Sequence, residues 1–186
     1  GGWALIKRPP LADVGYRYYT DQGRPSVTRT NVTAGEGVAA DAMVYMGPYE
    51  MTTRSEHGQQ FHLVVPEAAT VTEDKSDIFD SVTAASDDLR VGDRDATVTM
   101  FAAPTSISWG VKGLQTGDKA FYTVANLTVD DADNTWVHEY VHTRQDFETA
   151  DPTQWFIEAS AEYYAAQLTL QQDRIDFDDF SDSLGV

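Results

Sequence analysis

The spacing of apolar residues changes about two-thirds of the way along this 186-residue chain, from short strand-like runs to helical periodicity. In the earlier part, β-branched and aromatic runs alternate with clusters of Gly, Pro, Asp and Asn, which is typical of strands and their turns. We expect strands at Tyr16/Tyr18, Val27, Val38 to Tyr45, Phe61 to Val65, Thr97 to Ala102 and Lys119 to Ala125.

Helical spacing is found in one early segment and throughout the last third. Apolar residues three and four apart between Glu73 and Arg90 predict the first helix. The later segments carry start signals, which are capping acids or amides and a proline at the first helical position. They predict a helix from a cap at Asp133 or Asn134 to about Phe147, a helix from a cap at Asp151 through Leu170, and a short helix in Asp176 to Leu184.

Strands followed by helices favour an α+β fold over alternating βα units. We expect a boundary near Pro66 to Asp74 that divides a β-rich N-terminal region, residues 1–70, from a mixed region, residues 71–186. The chain has no Cys, so its core forms without disulfides, and its length is sufficient for that.

Acidic residues dominate the charge, with 30 Asp and Glu against 13 Lys and Arg, for a net charge of −17. Nucleic acid is excluded as a partner, because phosphate binding requires a positive patch. The acids are spread along the chain, which indicates a solvated surface and not an acidic tail. This composition resembles that of proteins from extreme halophiles. We expect a salt-adapted surface, with a face that binds cations or basic partners as the alternative.

No apolar run approaches the ~18 residues of a membrane span. The chain lacks an initiator Met and a basic-then-apolar signal pattern, so we expect it to be a segment of a longer protein. Two Asn-x-Thr sequons begin at Asn31 and Asn126 and permit glycosylation of an exported chain. We therefore expect an extracellular or cell-surface location, with a cytoplasmic one as the alternative.

One motif carries clear chemistry, the segment His138-Glu139-Tyr140-Val141-His142 on a predicted helix. Residues four apart lie on one helix face, so both imidazoles can reach the same ion, and zinc accepts nitrogen ligands. Glu139 is offset from that face and is a candidate general base for a metal-activated water. Two surface or capping histidines are the alternative.

A catalytic zinc site needs three protein ligands, and the next predicted helix offers Glu158. Small residues around it would let the two helices approach closely. Glu162 lies one turn further on and could accept the second ring N–H of a ligating histidine, which would fix its orientation. A solvated helix acid is the alternative for Glu158.

The HExxH motif followed by Trp155-Phe156-Ile157-Glu158 and Glu162 resembles the gluzincin zinc metallopeptidases, closest in pattern to the glycyl-aminopeptidase-like and related aminopeptidase families. The resemblance implies a zincin-like catalytic domain over residues 71–186, Zn²⁺ as cofactor and a peptide or protein substrate. Relatives place a further catalytic Tyr or His downstream, near or beyond Val186, which leaves open a truncation of the domain at its C-terminal end.

The residues leave two other functions open. One is a non-catalytic, zinc-containing cell-surface or scaffold domain derived from a peptidase; the retained Glu139 argues against it, because a structural zinc site needs no base. The other is a zinc hydrolase that acts on a different bond.

Three weaker features each have two interpretations. His57 and His62 are the remaining histidines; His62 is expected to be a packed or rim residue, and an oxyanion-stabilising role is its alternative. Lys119 to Ala125 is either an edge strand that pairs with a substrate backbone or a core strand. Asp130 to Asp133 is either a Ca²⁺ loop or a solvated loop with a helix cap.

The charge count yields a first prediction. A net charge of −17 is unscreened in dilute buffer, and self-repulsion weakens the compact state, whereas molar salt shortens the Debye length to about 3 Å. We expect the melting temperature to rise from low to molar KCl. A melting temperature that stays flat or falls over that range would reject salt adaptation as the reason for the acid excess.

Overall fold

The computed structural model describes residues 2–7, 14–18, 25–29, 36–107 and 110–185 of the chain. It contains ten strands and four helices within these ranges. The strands are β1 Ala4–Lys7, β2 Val14–Tyr18, β3 Pro25–Arg29, β4 Gly37–Ala39, β5 Met43–Met46, β6 Tyr49–Glu56, β7 Gln59–Pro66, β8 Thr97–Ala103, β9 Gly113–Gln115 and β10 Ala120–Val124. The helices are α1 Lys75–Asp88, α2 Thr135–Arg144, α3 Trp155–Gln171 and α4 Phe177–Leu184.

The predicted α+β class, with a β-rich first half, is confirmed. Five strands form the central sheet in the order β6-β7-β8-β10-β9. The two outer pairs, β6 with β7 and β10 with β9, are antiparallel. The inner pairs, β7 with β8 and β8 with β10, are parallel, and α1 makes the connection between β7 and β8.

This sheet spans the boundary expected at residues 70 and 71, because β7 from the first region pairs with β8 from the second. Strands β1, β5 and β4 form a separate three-stranded sheet, and β2 pairs with β3. The sequon at Asn31 lies outside the described residues, whereas Asn126 is exposed.

Alternation along the central strands sends side chains to both faces of the sheet, as the two-residue period of a strand requires. On β7, Phe61 and Leu63 enter the larger core, which α1, α2 and α3 cover. Val64 enters a second core on the opposite face, where Tyr45, Phe101 and side chains of the three-stranded sheet pack against it. The central sheet is therefore buried on both faces.

Two predicted helix limits are wrong, each for a local reason. Helix α2 ends at Arg144 and not near Phe147, because the side chain of Gln145 bonds to His142 and to α3, and its backbone leaves helical geometry. Asp151 does not cap α3. It begins a short 3-10 turn, Asp151–Thr153, after which α3 starts at Trp155.

The cap of α2 forms as predicted and does more than a cap. The Oδ1 atom of Asn134 accepts from the N–H of Val137, and its Nδ2 donates to Ser81 Oγ at 3.0 Å, Val129 O at 3.1 Å and Thr169 Oγ1 at 3.1 Å. One fully buried amide thus joins α1, α2, α3 and the loop before α2. No helix in the described ranges is both long and apolar enough to cross a membrane.

Asn134→Ala is expected to lower the free energy of unfolding by about 3 kcal/mol, because it removes a cap and leaves buried partners unsatisfied. The control is Asp74→Ala, which removes the exposed cap of α1 and leaves no buried partner unsatisfied, so its loss should be smaller. Urea denaturation of both variants measures the two values. Equal losses would show that the buried bonds of Asn134 contribute nothing beyond capping.

Candidate metal centre

Helix α2 and the start of α3 bring three donor atoms together. The Nε2 atoms of His138 and His142 lie 3.0 Å apart, and Glu158 Oε2 lies 3.5 Å from the first and 3.4 Å from the second. Among the described residues, these three form the one group of His, Asp or Glu side chains close enough to hold a metal ion. The three residues named as candidate ligands from the sequence, His138, His142 and Glu158, therefore lie close together in the structure.

The donor set fits zinc. A tetrahedral ion with bonds of about 2.0–2.1 Å separates two of its ligands by about 3.3 Å, which matches the triangle of donor atoms. Burial, together with the neighbouring His142 ring, lowers the pKa of His138, so its ring is neutral and offers a lone pair. Glu158 is 73% exposed and supplies the anionic ligand from the solvent side.

Glu139 lies beside this triangle and is only 5% exposed. Burial, and then the negative charge of Glu158, raise the pKa of Glu139 to about 8, while the backbone N–H of Gln115 acts in the opposite direction. Its Oε2 atom is buried and has no hydrogen-bond partner. A cation held by the neighbouring ligands would offset the charge of Glu158 and favour the carboxylate form of Glu139.

All four side chains line an open cleft of about 700 Å³. The wall opposite α2 is formed by Val111 to Gln115, and Ile157 contributes an apolar side chain from α3. Lys112 also lines the cleft, and its Nζ is bound to Asp133 at 2.9 Å. The cleft is therefore acidic around the donor triangle, and its lysine is already paired with a carboxylate.

Strand β9 is the edge of the sheet that faces this cleft. Lys112 O and Thr116 N bond to β10, so by the alternation of an antiparallel pair the backbone groups of Gly113 and Gln115 point away from β10. The sequence left open whether Lys119 to Ala125 is an edge strand or a core strand. It is a core strand, because β10 lies between β8 and β9.

Two residues of the site were missed by sequence reasoning. Gln145 Oε1 lies 2.7 Å from His142 Nδ1, and Gln145 Nε2 donates to Ile157 O and Ser160 Oγ on α3. If His142 donates from Nδ1, its Nε2 is left free for a metal. A polar side chain three residues after a ligating histidine, on the same helix face, was the signal available for it.

Gly113 is the second such residue. A Cβ added there would lie 2.5 Å from Glu139 Oε1 and 2.6 Å from Thr135 Cγ2, so only glycine lets β9 approach Glu139 this closely. No sequence signal marked it, because the close approach arises from the tertiary packing of β9 against α2.

The remaining candidates lie apart from the donor triangle. Glu162 is exposed one turn beyond Glu158 and forms no hydrogen bond with either histidine. Gln145, and not Glu162, is the partner of the second ring nitrogen of His142. His62 bonds to Thr53, and His57 lies 3.5 Å from Asp87, both away from the cleft.

The Asp130 to Asp133 segment is a loop with internal and ionic partners. Asp130 pairs with Arg174 at 2.8 Å, and Asp131 accepts from the backbone N–H of Asp133. The segment does not form a metal-binding group within the described part of the chain.

Comparison with known proteins adds a distant structural likeness. Neither a protein-family model nor a curated protein matches the chain by sequence. Among solved structures, the chain is similar to the crystal structure of an aminopeptidase N family protein from Idiomarina loihiensis, with 12% identity and a TM-score of 0.33. The match covers 88% of this chain and 24% of that protein, so this chain spans about a quarter of its length.

Zinc titration of the purified chain tests the donor triangle. We expect about one equivalent of zinc per chain, and no high-affinity binding after His138→Ala or His142→Ala, because two ligands do not complete a zinc site. Glu158→Gln should weaken binding, because it removes the anionic ligand. Full zinc occupancy in the His138→Ala/His142→Ala double variant would show that zinc binds elsewhere.

The same titration separates Gln145 from Glu162. Gln145→Ala is expected to weaken zinc binding about 10–100-fold, since it removes the partner that orients His142. Glu162→Gln, the control on the same helix, should leave the affinity unchanged. The reverse result would restore Glu162 as the orienting group.

Proposed function

We propose that this protein is a zinc-dependent peptidase of the gluzincin type, in which His138, His142 and Glu158 hold the metal and Glu139 is the general base. One observation carries the proposal: three donor atoms with zinc-like spacing lie beside a buried carboxylate that has an unpartnered oxygen, all in one open cleft. A purely structural zinc site would have four protein ligands and no need of the carboxylate.

Zinc bound by these residues would supply a Lewis acid that polarises a carbonyl and acidifies water at neutral pH. The chain itself supplies the ligand set and its orientation. Gln145 accepts from His142 Nδ1 and leaves Nε2 free to bind, and its amide group holds the start of α3, which carries Glu158.

Glu139 performs the proton transfers in this proposal. It accepts a proton from the attacking water as the water oxygen bonds to the carbonyl carbon of the substrate. It then gives that proton to the amine nitrogen as the C–N bond breaks, so that the carboxylate is regenerated. The unpartnered Oε2 of Glu139 is the atom available for both transfers.

An extended substrate backbone fits the edge of β9. Gly113 and Gln115 point their backbone groups away from β10, and a peptide can pair with such an edge by strand addition. The N–H of Gln115 is bonded to Glu139 and is not among the groups that such a peptide would use. The exposed side chains of Val111 and Leu114 and the half-buried Ile157 offer apolar contacts to its side chains. We also propose that the zincin-like part of the chain includes β6 and β7, because they share its sheet.

Glu139→Gln tests the role of the base. The substitution keeps the size of the side chain and removes its capacity to accept a proton, so zinc should remain bound while hydrolysis falls by about 10²–10⁴-fold. Zinc content and turnover of one cleavable peptide, found by screening a peptide library, are measured for wild type and variant. Glu162→Gln is the matched control, and its turnover should equal that of wild type.

Each alternative function has its own outcome in this experiment. Equal turnover by wild type and Glu139→Gln would reject the mechanism. A zinc-loaded wild type that cleaves no peptide would favour the non-catalytic scaffold or a hydrolase of another bond.

A further inference from the structure

Five aromatic side chains are exposed on the side of the molecule formed by α3, α4 and the loop before α3. Trp155 and Phe177 are the most exposed, at 66% and 65%. We call this set the aromatic face; it consists of Phe147, Trp155, Phe156, Tyr163 and Phe177. None of the five lines the cleft of the metal centre.

The aromatic face consists of two groups of rings on α3 and its neighbours. Phe156 contacts Phe147 and Trp155, with ring centroids 5.9 and 6.0 Å apart. Tyr163 lies seven residues after Phe156, which puts it on the same side of the helix two turns further on. Its ring is 6.4 Å from Phe180, which in turn is 6.0 Å from Phe177.

Helix α3 is apolar on its inner side as well. Ala161, Ala165 and Leu168 are buried in the larger core. Glu158 and Glu162 interrupt the outer side, but large exposed apolar patches mark interaction surfaces. The outer side of α3 therefore has the composition of an interface.

Charge identifies the kind of partner. Residues 145–186 carry a single basic residue, Arg174, which is bound to Asp130 at 2.8 Å. The same stretch contains these acids: Asp146, Glu148, Asp151, Glu158, Glu162, Asp173, Asp176, Asp178, Asp179 and Asp182. In dilute buffer, a second copy of the chain would bring the same acids and a net charge of −17 against this border, which repels it, whereas a basic partner is attracted.

We infer that the aromatic face is a docking surface for a cationic amphipathic segment of a partner protein. The apolar side chains of such a segment would cover the aromatic rings, and its Lys and Arg would meet the surrounding carboxylates. Arg guanidinium groups can also stack on exposed rings such as Trp155. This recognition uses no metal ligand and is independent of the proposed peptidase activity.

Calorimetric titration of the full chain tests the inference with a synthetic amphipathic helix as probe. The probe carries Leu and Trp on one side and Lys and Arg on the other, and a matched peptide has Glu at every basic position. We expect the cationic peptide to bind and the Glu peptide to bind at least about tenfold more weakly. Performing the titration on the Glu139→Gln chain keeps the peptide intact if the chain is a peptidase.

Variants locate the binding. Trp155→Ser and Phe177→Ser should each weaken the cationic peptide about tenfold, as expected for aromatic anchors of an interface. Met51→Ser is the matched control: Met51 is 48% exposed on β6, away from the aromatic face, and its loss should change nothing. Because Trp155 and Phe177 are exposed, both variants are expected to fold, which thermal melting verifies.

Four outcomes would overturn the inference. Three are no binding of the cationic peptide, equal binding of the Glu peptide, and equal weakening by Met51→Ser. The fourth is dimerisation of the wild type in sedimentation that is lost in Trp155→Ser, which would assign the surface to a second copy. Loss of zinc or of turnover has no bearing on any of these results.

Discussion

Helix α2 is packed on nearly its whole circumference, and this packing fixes the direction of the metal ligands. Trp136, Val137, Tyr140 and Val141 are all fully buried between the central sheet and the neighbouring helices. Burying a large apolar side chain is worth about 1.5–3 kcal/mol, so rotating the helix to expose any of them is costly. The remaining side of α2 carries His138 and His142, and the packing of the other sides directs both toward the cleft.

The approach of α3 depends on polar contacts at the end of the same helix. Gln145 is bonded to His142 on one side and to Ile157 and Ser160 on the other. Arg144 makes a second connection at this end of the helix. Its guanidinium donates to the hydroxyl of the fully buried Tyr140 and to Gly92 O. The end of α2 is thus tied both to α3 and to the loop before β8, and these bonds hold the part of α3 that carries Glu158.

Patterns confined to neighbouring residues were readable from the sequence, and patterns that depend on distant packing were not. The histidine pair follows from helix geometry, and the alternation of Phe61, Leu63 and Val64 follows from strand geometry. Strand β9 has three residues and no recognisable pattern, so its position at the sheet edge depends on pairing with β10. The sequence did not indicate the role of Gln145 at the end of α2, because its bonds to α3 exist only once the two helices are adjacent.

The two edges of the central sheet have a consequence for self-assembly. Molar salt screens the net charge that keeps acidic chains apart, so resistance to aggregation then has to come from the shape of the exposed strands. Strand β6 forms one edge and carries charged side chains, with Glu50 paired to Lys75 at 2.8 Å and Arg54 paired to Asp80. Strand β9 forms the other edge and is too short to template a long ladder. Neither edge offers a flat apolar template, so edge-to-edge pairing of strands is disfavoured even where electrostatic repulsion no longer operates.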